Sequence, residues 1–292
     1  MTSEATERSG AAGTGEPDLP GVPPKGARGG GVLDRFLVTD RVAIVTGAGR
    51  GIGAAIARAY AEAGGDVVLS ARTEEQLHEV AADIEALGRR AVLVPADLND
   101  TANLGVLVER AVSEFGRIDT VVNNVGGTPP RPFLDTSEGF FERAIHFNVT
   151  TAFALTKAAT PHLLESDGAS VVNISSMMGR RADRGFVAYG TAKGALAHLT
   201  RLLACDLAPK VRVNAIAVGS VATSALQTVL ENEELEREMV DNTPLRRLGD
   251  PVDIALGALW LASPAGSFVT GKVVEIDGGL EAPNLALGLP DL

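Results

Sequence analysis

Cysteine is nearly missing from this chain. Its one copy, Cys205, has no second cysteine to form an internal disulfide with. It falls within an apolar helical pattern, where a small buried hydrophobe is expected. A reducing, cytoplasmic home is the matching expectation. No apolar run reaches the roughly 18 residues of a membrane-spanning helix, and no signal-peptide core stands at the start. Lys/Arg clusters are also missing, and the net charge is -11. That combination argues against a nucleic-acid surface. The four histidines, His78, His146, His162 and His198, sit in helical segments, and no His/Cys/carboxylate set has metal-ligand spacing. No metal and no membrane partner are expected.

What the 292 residues do hold is 45% hydrophobic and 22% charged, which suits one large α/β domain. Residues 1–32 contain eight Gly, four Pro and no aromatic residue. Such a segment buries too little surface to offset its ordering entropy, so a disordered tail is expected there, with the domain over 33–292. From Val42 onward, short β-branched runs alternate with single helical patterns. Strands are expected at Val42–Val45, Val67–Leu69, Ala91–Val94, Ile118–Val122, Ser170–Ile174, Val211–Ala217 and Val273–Ile276. Strands separated by single helices imply a parallel sheet covered on both faces. The expected fold is therefore one Rossmann-type, doubly wound parallel sheet of about seven strands.

Ligands bind such sheets at the carboxyl ends of the strands. The first strand runs into Thr46-Gly47-Ala48-Gly49-Arg50-Gly51-Ile52-Gly53 and then an alanine-rich helical pattern. Glycines there let the backbone approach a pyrophosphate, and the helix N-terminus offers free N–H groups and positive dipole. A long excursion at about 219–249 breaks the alternation. It carries a charged amphipathic helix near Leu226–Val240 and reads as a lid. Tyr189 and Lys193 lie four residues apart, hence on one face of a helix. An ammonium near a phenol lowers the phenol's pKa and makes it a useful acid or base.

With these pieces in order, residues 33–279 resemble the short-chain dehydrogenase/reductase family. The markers are Thr46-Gly47-x-x-x-Gly51-x-Gly53, Asn123-Asn124-Val125-Gly126, Asn148, Ser176 and Tyr189-x-x-x-Lys193. Ser176 stands thirteen residues before Tyr189, which favours it over Ser175. The resemblance implies that Tyr189 exchanges a proton with a carbonyl or hydroxyl oxygen. It implies that Ser176 binds the same oxygen, Lys193 holds the nicotinamide ribose, and Asn148 binds a relay water. Gly47, Gly49, Arg50, Gly51, Ile52, Gly53, Asn124, Gly126, Gly219, Val221 and Thr223 are then expected along the cofactor, with Asp97 and Leu98 at the adenine.

Cofactor choice turns on Val68-Leu69-Ser70-Ala71-Arg72. NAD-specific relatives carry an acid at the Ala71 position. Arg72, with help from Ser70 and Arg50, suits a 2′-phosphate, so NADP(H) is expected, with NAD(H) as the alternative. Two departures from the family pattern stand out: Val125 replaces the usual alanine, and Val218 replaces the usual proline. Gly127, Thr128, Met177, Met178, Phe186, Leu226 and Val229 make a mainly apolar substrate list. That fits a hydrophobic ketone and its secondary alcohol. A 3-oxoacyl-carrier-protein reductase and a hydroxysteroid dehydrogenase remain open, with Arg180, Arg181 or Arg184 serving an acidic carrier or a subunit contact. From other classes come a non-catalytic dinucleotide-binding regulator and a nucleotide-sugar epimerase. The spacing of Gly47, Gly51 and Gly53 argues against the epimerase. The resemblance also implies a homotetramer joined through the long helices. Residues 283–292 are rather apolar for a free tail, so packing on a neighbour is expected there.

Overall fold

The computed structural model describes residues 31–289. Of the tail expected over residues 1–32, the first thirty lie outside them, as do the last three residues of the chain. A 3-10 turn, Leu33–Phe36, leads into the domain. The strands are β1 (Val42–Thr46), β2 (Asp66–Ala71), β3 (Ala91–Pro95), β4 (Thr120–Asn123), β5 (Ala169–Ile174), β6 (Val211–Val218) and β7 (Val273–Ile276). They form one seven-stranded parallel sheet in the order β3-β2-β1-β4-β5-β6-β7. The order reverses between β1 and β4, the point where such sheets open a crevice.

Side chains alternate along each strand, so each strand feeds two cores. Ile44, Val68, Val121, Val171 and Val213 pack on one face with Leu104, Leu107 and Leu155. Val45, Leu69, Val122, Val172 and Ile216 pack on the other with Ile56, Leu77 and Ile254. The helices on the first face come from α3 (Ala102–Phe115) and α5 (Thr151–Leu163). Those on the second come from α1 (Gly51–Glu62), α2 (Glu74–Ala86) and α9 (Pro251–Ala262). Each fully buried Val, Leu or Ile stabilises by roughly 1.5–3 kcal/mol, so both faces are needed to hold the sheet.

Two expected single helices are divided. The region around 137–164 consists of α4 (Glu138–Ile145), a π-helical turn His146–Thr150 and then α5. The lid comprises a 3-10 turn Ser224–Leu226, α7 (Gln227–Leu230) and α8 (Glu233–Asp241). Asn232 causes the second break, because its side chain accepts from the Glu234 and Leu235 amides and so starts a new helix. The last helix to name is α6 (Val187–Leu207), which carries Tyr189 and Lys193. Cys205 is exposed on α6, not buried as expected. Its neighbour Ala204 takes the core-facing position, and one helical step turns Cys205 outward.

At the amino ends of the strands, Asp119 is fully buried and ties β1 to the segment before β4. Its carboxylate accepts from the Val42 amide at 2.9 Å, from Arg117 Nε at 2.8 Å and a second Arg117 nitrogen at 2.7 Å, and from the Ser166 hydroxyl. Burial pushes its pKa up, but these bonds together hold it below the ordinary aspartate value. Stability from a depressed carboxylate is present above the unfolded pKa and lost as pH falls through the folded one. Because Arg117 is half-exposed, Asp119→Asn should cost about 2–3 kcal/mol at neutral pH, below the range for a fully buried pair. In denaturant melts, the gap between variant and parent should narrow as pH falls below about 4.

Candidate active site

The carboxyl ends of the strands open into a cleft of about 890 Å³. Its floor is the β1 turn. Gly47 adopts φ 64°, and the point where its Cβ would lie is 2.8 Å from Asn124 Nδ2. Gly53 does not line the cleft. A Cβ there would sit 2.2 Å from the Gly47 carbonyl oxygen, so its part is to let α1 close onto the turn. Helix α1 has no side-chain N-cap and no acid in its first turn. Its first N–H groups are thus left to a ligand of negative charge. Gly47, Gly49, Arg50, Gly51 and Ile52 line the cleft as expected.

The loop after β4 is fastened to this turn. Thr46 Oγ1 accepts from the Asn124 amide at 2.9 Å and the Val125 amide at 3.1 Å, while Asn124 Nδ2 donates to the Thr46 and Gly47 carbonyls. Gly126 is needed for space, because a Cβ there would lie 2.6 Å from Asn148 Oδ1 and 2.8 Å from Lys193 Nζ. Asn148, in the π turn, is fully buried and does not line the cleft. It accepts from the Gly127 amide at 2.9 Å and donates to the Ala144 carbonyl at 2.9 Å and to Thr128 at 3.3 Å. Those bonds make it a positioner of the Gly127–Thr128 wall beside Lys193.

The two serines after β5 divide their tasks. Ser175 donates to the Lys193 carbonyl at 3.0 Å, which ties the end of β5 to the second turn of α6. Ser176 caps a short 3-10 turn, Met177–Gly179, accepting from the Met178 amide at 3.2 Å, and it is the polar side chain whose presence lowers the Tyr189 pKa. Helix α6 can come this close because Gly179 lies against its backbone, where a Cβ would meet the Lys193 carbonyl carbon at 2.7 Å. Lys193 is buried and donates to the Ile174 carbonyl at 2.9 Å; its ammonium lies 5.7 Å from the centre of the Tyr189 ring.

The electrostatics differ from the expectation in one respect. Burial raises the Tyr189 pKa, and the Ser176 hydrogen bond only partly offsets this. Desolvation also lowers Lys193, to about 8. In the protein alone, burial therefore outweighs the ammonium that was expected to depress the phenol.

Other expected residues fall as follows. Arg72, Asp97, Leu98, Gly219, Val221, Thr223, Gly127, Thr128, Met178, Phe186 and Leu226 all line the cleft. Ser70 does not. It is fully buried and donates to the Val94 carbonyl at 2.9 Å, because strand alternation turns its neighbour Ala71 to the cleft instead. Val218 ends β6 opposite Ile276, so the missing proline leaves an ordinary strand residue. Arg180 and Arg181 are already paired with Glu275 and Glu281 of the same chain. Residues 283–289 pack on their own chain, and Pro283, Asn284, Leu285 and Leu287 line the cleft. Thr73, Gln76 and Met239 were also missed. Met239 shares the charged helix α8 with Leu235 and Val240, and nothing in the sequence singles it out among those three apolar residues.

A family model described as Enoyl-(Acyl carrier protein) reductase matches residues 47–281. An uncharacterized oxidoreductase of Mycobacterium tuberculosis (strain CDC 1551 / Oshkosh) is 60% identical over 262 residues, 89% of this chain and 100% of that relative. Among solved structures, a 7 alpha-hydroxysteroid dehydrogenase complexed with NADH and 7-oxo glycochenodeoxycholic acid is similar with a TM-score of 0.81 and 38% identity, over 85% of this chain and 96% of that one. The Pseudomonas aeruginosa protein RhlG, in an active-site complex with NADP, is similar with a TM-score of 0.79 and 32% identity, over 84% of this chain and 98% of that one. Likeness of this extent, over a sheet whose crevice gathers the expected motifs, identifies the chain as a member of the short-chain dehydrogenase/reductase family, an oxidoreductase of CH–OH groups that uses NAD(P).

Proposed function

We propose that this enzyme is NADP(H)-dependent and interconverts a hydrophobic ketone and its secondary alcohol. The observation that carries the reading is the meeting of the Tyr189 phenol and the Ser176 hydroxyl at the cleft, with buried Lys193 behind them. The nicotinamide coenzyme supplies or accepts the hydride when bound. The glycine turn and α1 hold its phosphates, and Asp97 and Leu98 flank the adenine. Tyr189 gives a proton to the substrate oxygen in reduction and takes one in oxidation. Ser176 donates a hydrogen bond to that same oxygen and fixes its place. Lys193 keeps a positive charge beside the phenolate that forms.

The NADP(H) preference rests on Arg72 and Arg50 at the cleft, with Ala71 where an acid would discriminate for NAD(H). The solved relatives carry NADH in one case and NADP in the other, so the test must be made on this chain. Arg72→Asp should shift the ratio of kcat/KM for NADPH over NADH by roughly 100-fold toward NADH, from a lost charge-assisted pair and an added repulsion. A ratio unchanged by the substitution, or parity of the two coenzymes in the parent enzyme, would sink this preference.

For the substrate, Met177, Met178, Phe186, Leu226, Val229 and Met239 give an apolar half to the cleft. A 7-oxo steroid is the ligand of one solved relative, and a bulky polycyclic ketone fits the same chemistry here. The carrier-protein reading loses support, since Arg180 and Arg181 are met by Glu275 and Glu281. A screen of neutral ketones with NADPH, read at the nicotinamide absorbance, tests the whole proposal; no turnover across monocyclic and polycyclic ketones would overturn it. The same reading includes a cytoplasmic homotetramer. Exposed Phe153 on α5 and Val187 and Leu202 on α6 support helix-mediated assembly, and sedimentation decides it.

A further inference from the structure

After β7 the chain turns sharply. Gly278 and Gly279 both have positive φ, 72° and 85°, and their bend lies against Thr243 and Pro244. Leu280 is buried just beyond, and Glu281 pairs with Arg181. The next residues do not leave the molecule. Pro283, Asn284, Leu285 and Leu287 line the cleft.

This stretch is fastened most heavily at Asn284. Asn284 is 5% exposed. Its Oδ1 accepts from the Ser220 hydroxyl at 2.9 Å. Its Nδ2 donates to Thr243 Oγ1 at 2.9 Å and to the Met239 carbonyl at 3.2 Å. Its own carbonyl accepts from Asn242 Nδ2 at 3.2 Å. Ser220 belongs to the loop after β6, while Met239 lies in α8 and Asn242 and Thr243 follow it. One amide thus joins the lid to the loop expected beside the nicotinamide. Beyond it, the Ala286 amide donates to Glu238 Oε1 at 3.3 Å, and the Leu289 carbonyl accepts from a guanidinium nitrogen of Arg184, in the segment before α6, at 3.1 Å. Between Asn284 and Leu289, Leu285 and Leu287 line the cleft.

We infer that residues 283–289 are an intramolecular strap that completes the substrate pocket, with Asn284 as its positioning residue and Leu285 and Leu287 as determinants of substrate size. A leucine in this place would serve as well for burial alone. An asparagine satisfied on both faces of its amide fixes the strap's register instead, and so fixes which side chains reach the substrate. Substrate enters by displacement of the lid and strap together, because they share the Asn284 bonds. The inference rests on the proposed ketone reductase site for its substrate, though not for its geometry.

Two measurements on the full-length protein with NADPH bound test it. In the first, kcat/KM is compared for 2-decalone and cyclohexanone. Leu285→Ala and Leu287→Ala should each change that ratio about tenfold or more, chiefly through KM. Ratios within about twofold of the parent for both variants would overturn the size-determining role. In the second, amide exchange is followed by mass. Asn284→Leu should speed exchange about tenfold or more both in 283–289 and in α8, since both lose the same anchor. If that variant does not fold, Asn284→Asp sets a carboxylate against the Met239 carbonyl and should have the same effect. Unchanged exchange in either segment would overturn the coupling. Should the parent reduce neither ketone, the reductase reading falls, and the exchange result still decides the strap.

Discussion

Tyr189→Phe is expected to lower kcat/KM for ketone reduction by about 10³-fold, on the order of 4 kcal/mol in the barrier, while NADPH binds as before. The substitution removes one oxygen from the point where Ser176 and the substrate meet and leaves the ring's packing against Phe186 in place. Fluorescence of bound NADPH separates the two effects; near-normal turnover would remove Tyr189 as the acid. The pH profile adds a second reading. Burial raises the phenol, so Tyr189 stays protonated at neutral pH and is ready to donate. Lys193, lowered to about 8 by desolvation, is charged below that value and neutral above it. Reduction should therefore be flat below pH 8 and decline above it, as the positive charge facing the phenolate product is lost. Oxidation should climb with pH, since it begins with the phenolate. Both trends should vanish from whatever activity the phenylalanine variant retains.

Most of the sheet could be read from residue order, as could the gathering of Ser176, Tyr189 and Lys193 at one cleft. Seven β-branched runs between single helices left little choice of topology, and Tyr189, Lys193 and Ser176 carry their own spacing. What escaped detection has physical reasons. The π turn at His146–Thr150 leaves the apolar pattern continuous, so α4 and α5 looked like one helix. Asn232 was a capping residue hidden in a charged stretch. Ser70 was misassigned because a polar residue at the end of a strand was taken as facing the ligand, when alternation had already given that side to Ala71. The strap has no motif at all. Its only signal is the alternation of Leu285, Leu287 and Leu289 after a Gly-Gly turn, which is the pattern of an extended segment with one apolar face.

A second large effect is expected at Gly53. An alanine there would place its methyl 2.2 Å from the Gly47 carbonyl oxygen, 2.8 Å from that carbonyl carbon and 2.6 Å from Asn124 Nδ2. Two of those three atoms are backbone, so no side-chain rotation relieves the clash. Either α1 moves away from the turn or the turn opens, and both withdraw the first N–H groups of α1 from the phosphates they would hold. Gly53→Ala should weaken NADPH binding by about 100-fold or more and lower the melting temperature by several degrees, roughly what a loss of 1–3 kcal/mol from overpacking produces in a domain of this size. Gly105 makes the matching control. It lies within α3, with nothing within 4 Å of the place its Cβ would occupy. Gly105→Ala should leave NADPH binding alone and stabilise by about 0.5–1 kcal/mol. Equal NADPH affinity in both variants would show that the tight approach at Gly53 has no bearing on the coenzyme.

The Asp119 cluster lies at the opposite end of the same strands from the cleft. It clamps β1 through Val42, while the carboxyl ends of β1, β4, β5 and β6 carry the glycine turn, the Gly126 loop, the two serines and the loop from Gly219. No residue of the clamp lines the cleft. Changes at the two ends should therefore combine additively, since distant sites without shared partners rarely couple. Descendants of such a chain can exchange loops and strap to reach new alcohols while one untouched anchor keeps the barrier to unfolding. The same separation gives the engineer two independent dials, lifetime at one end of the sheet and selectivity at the other.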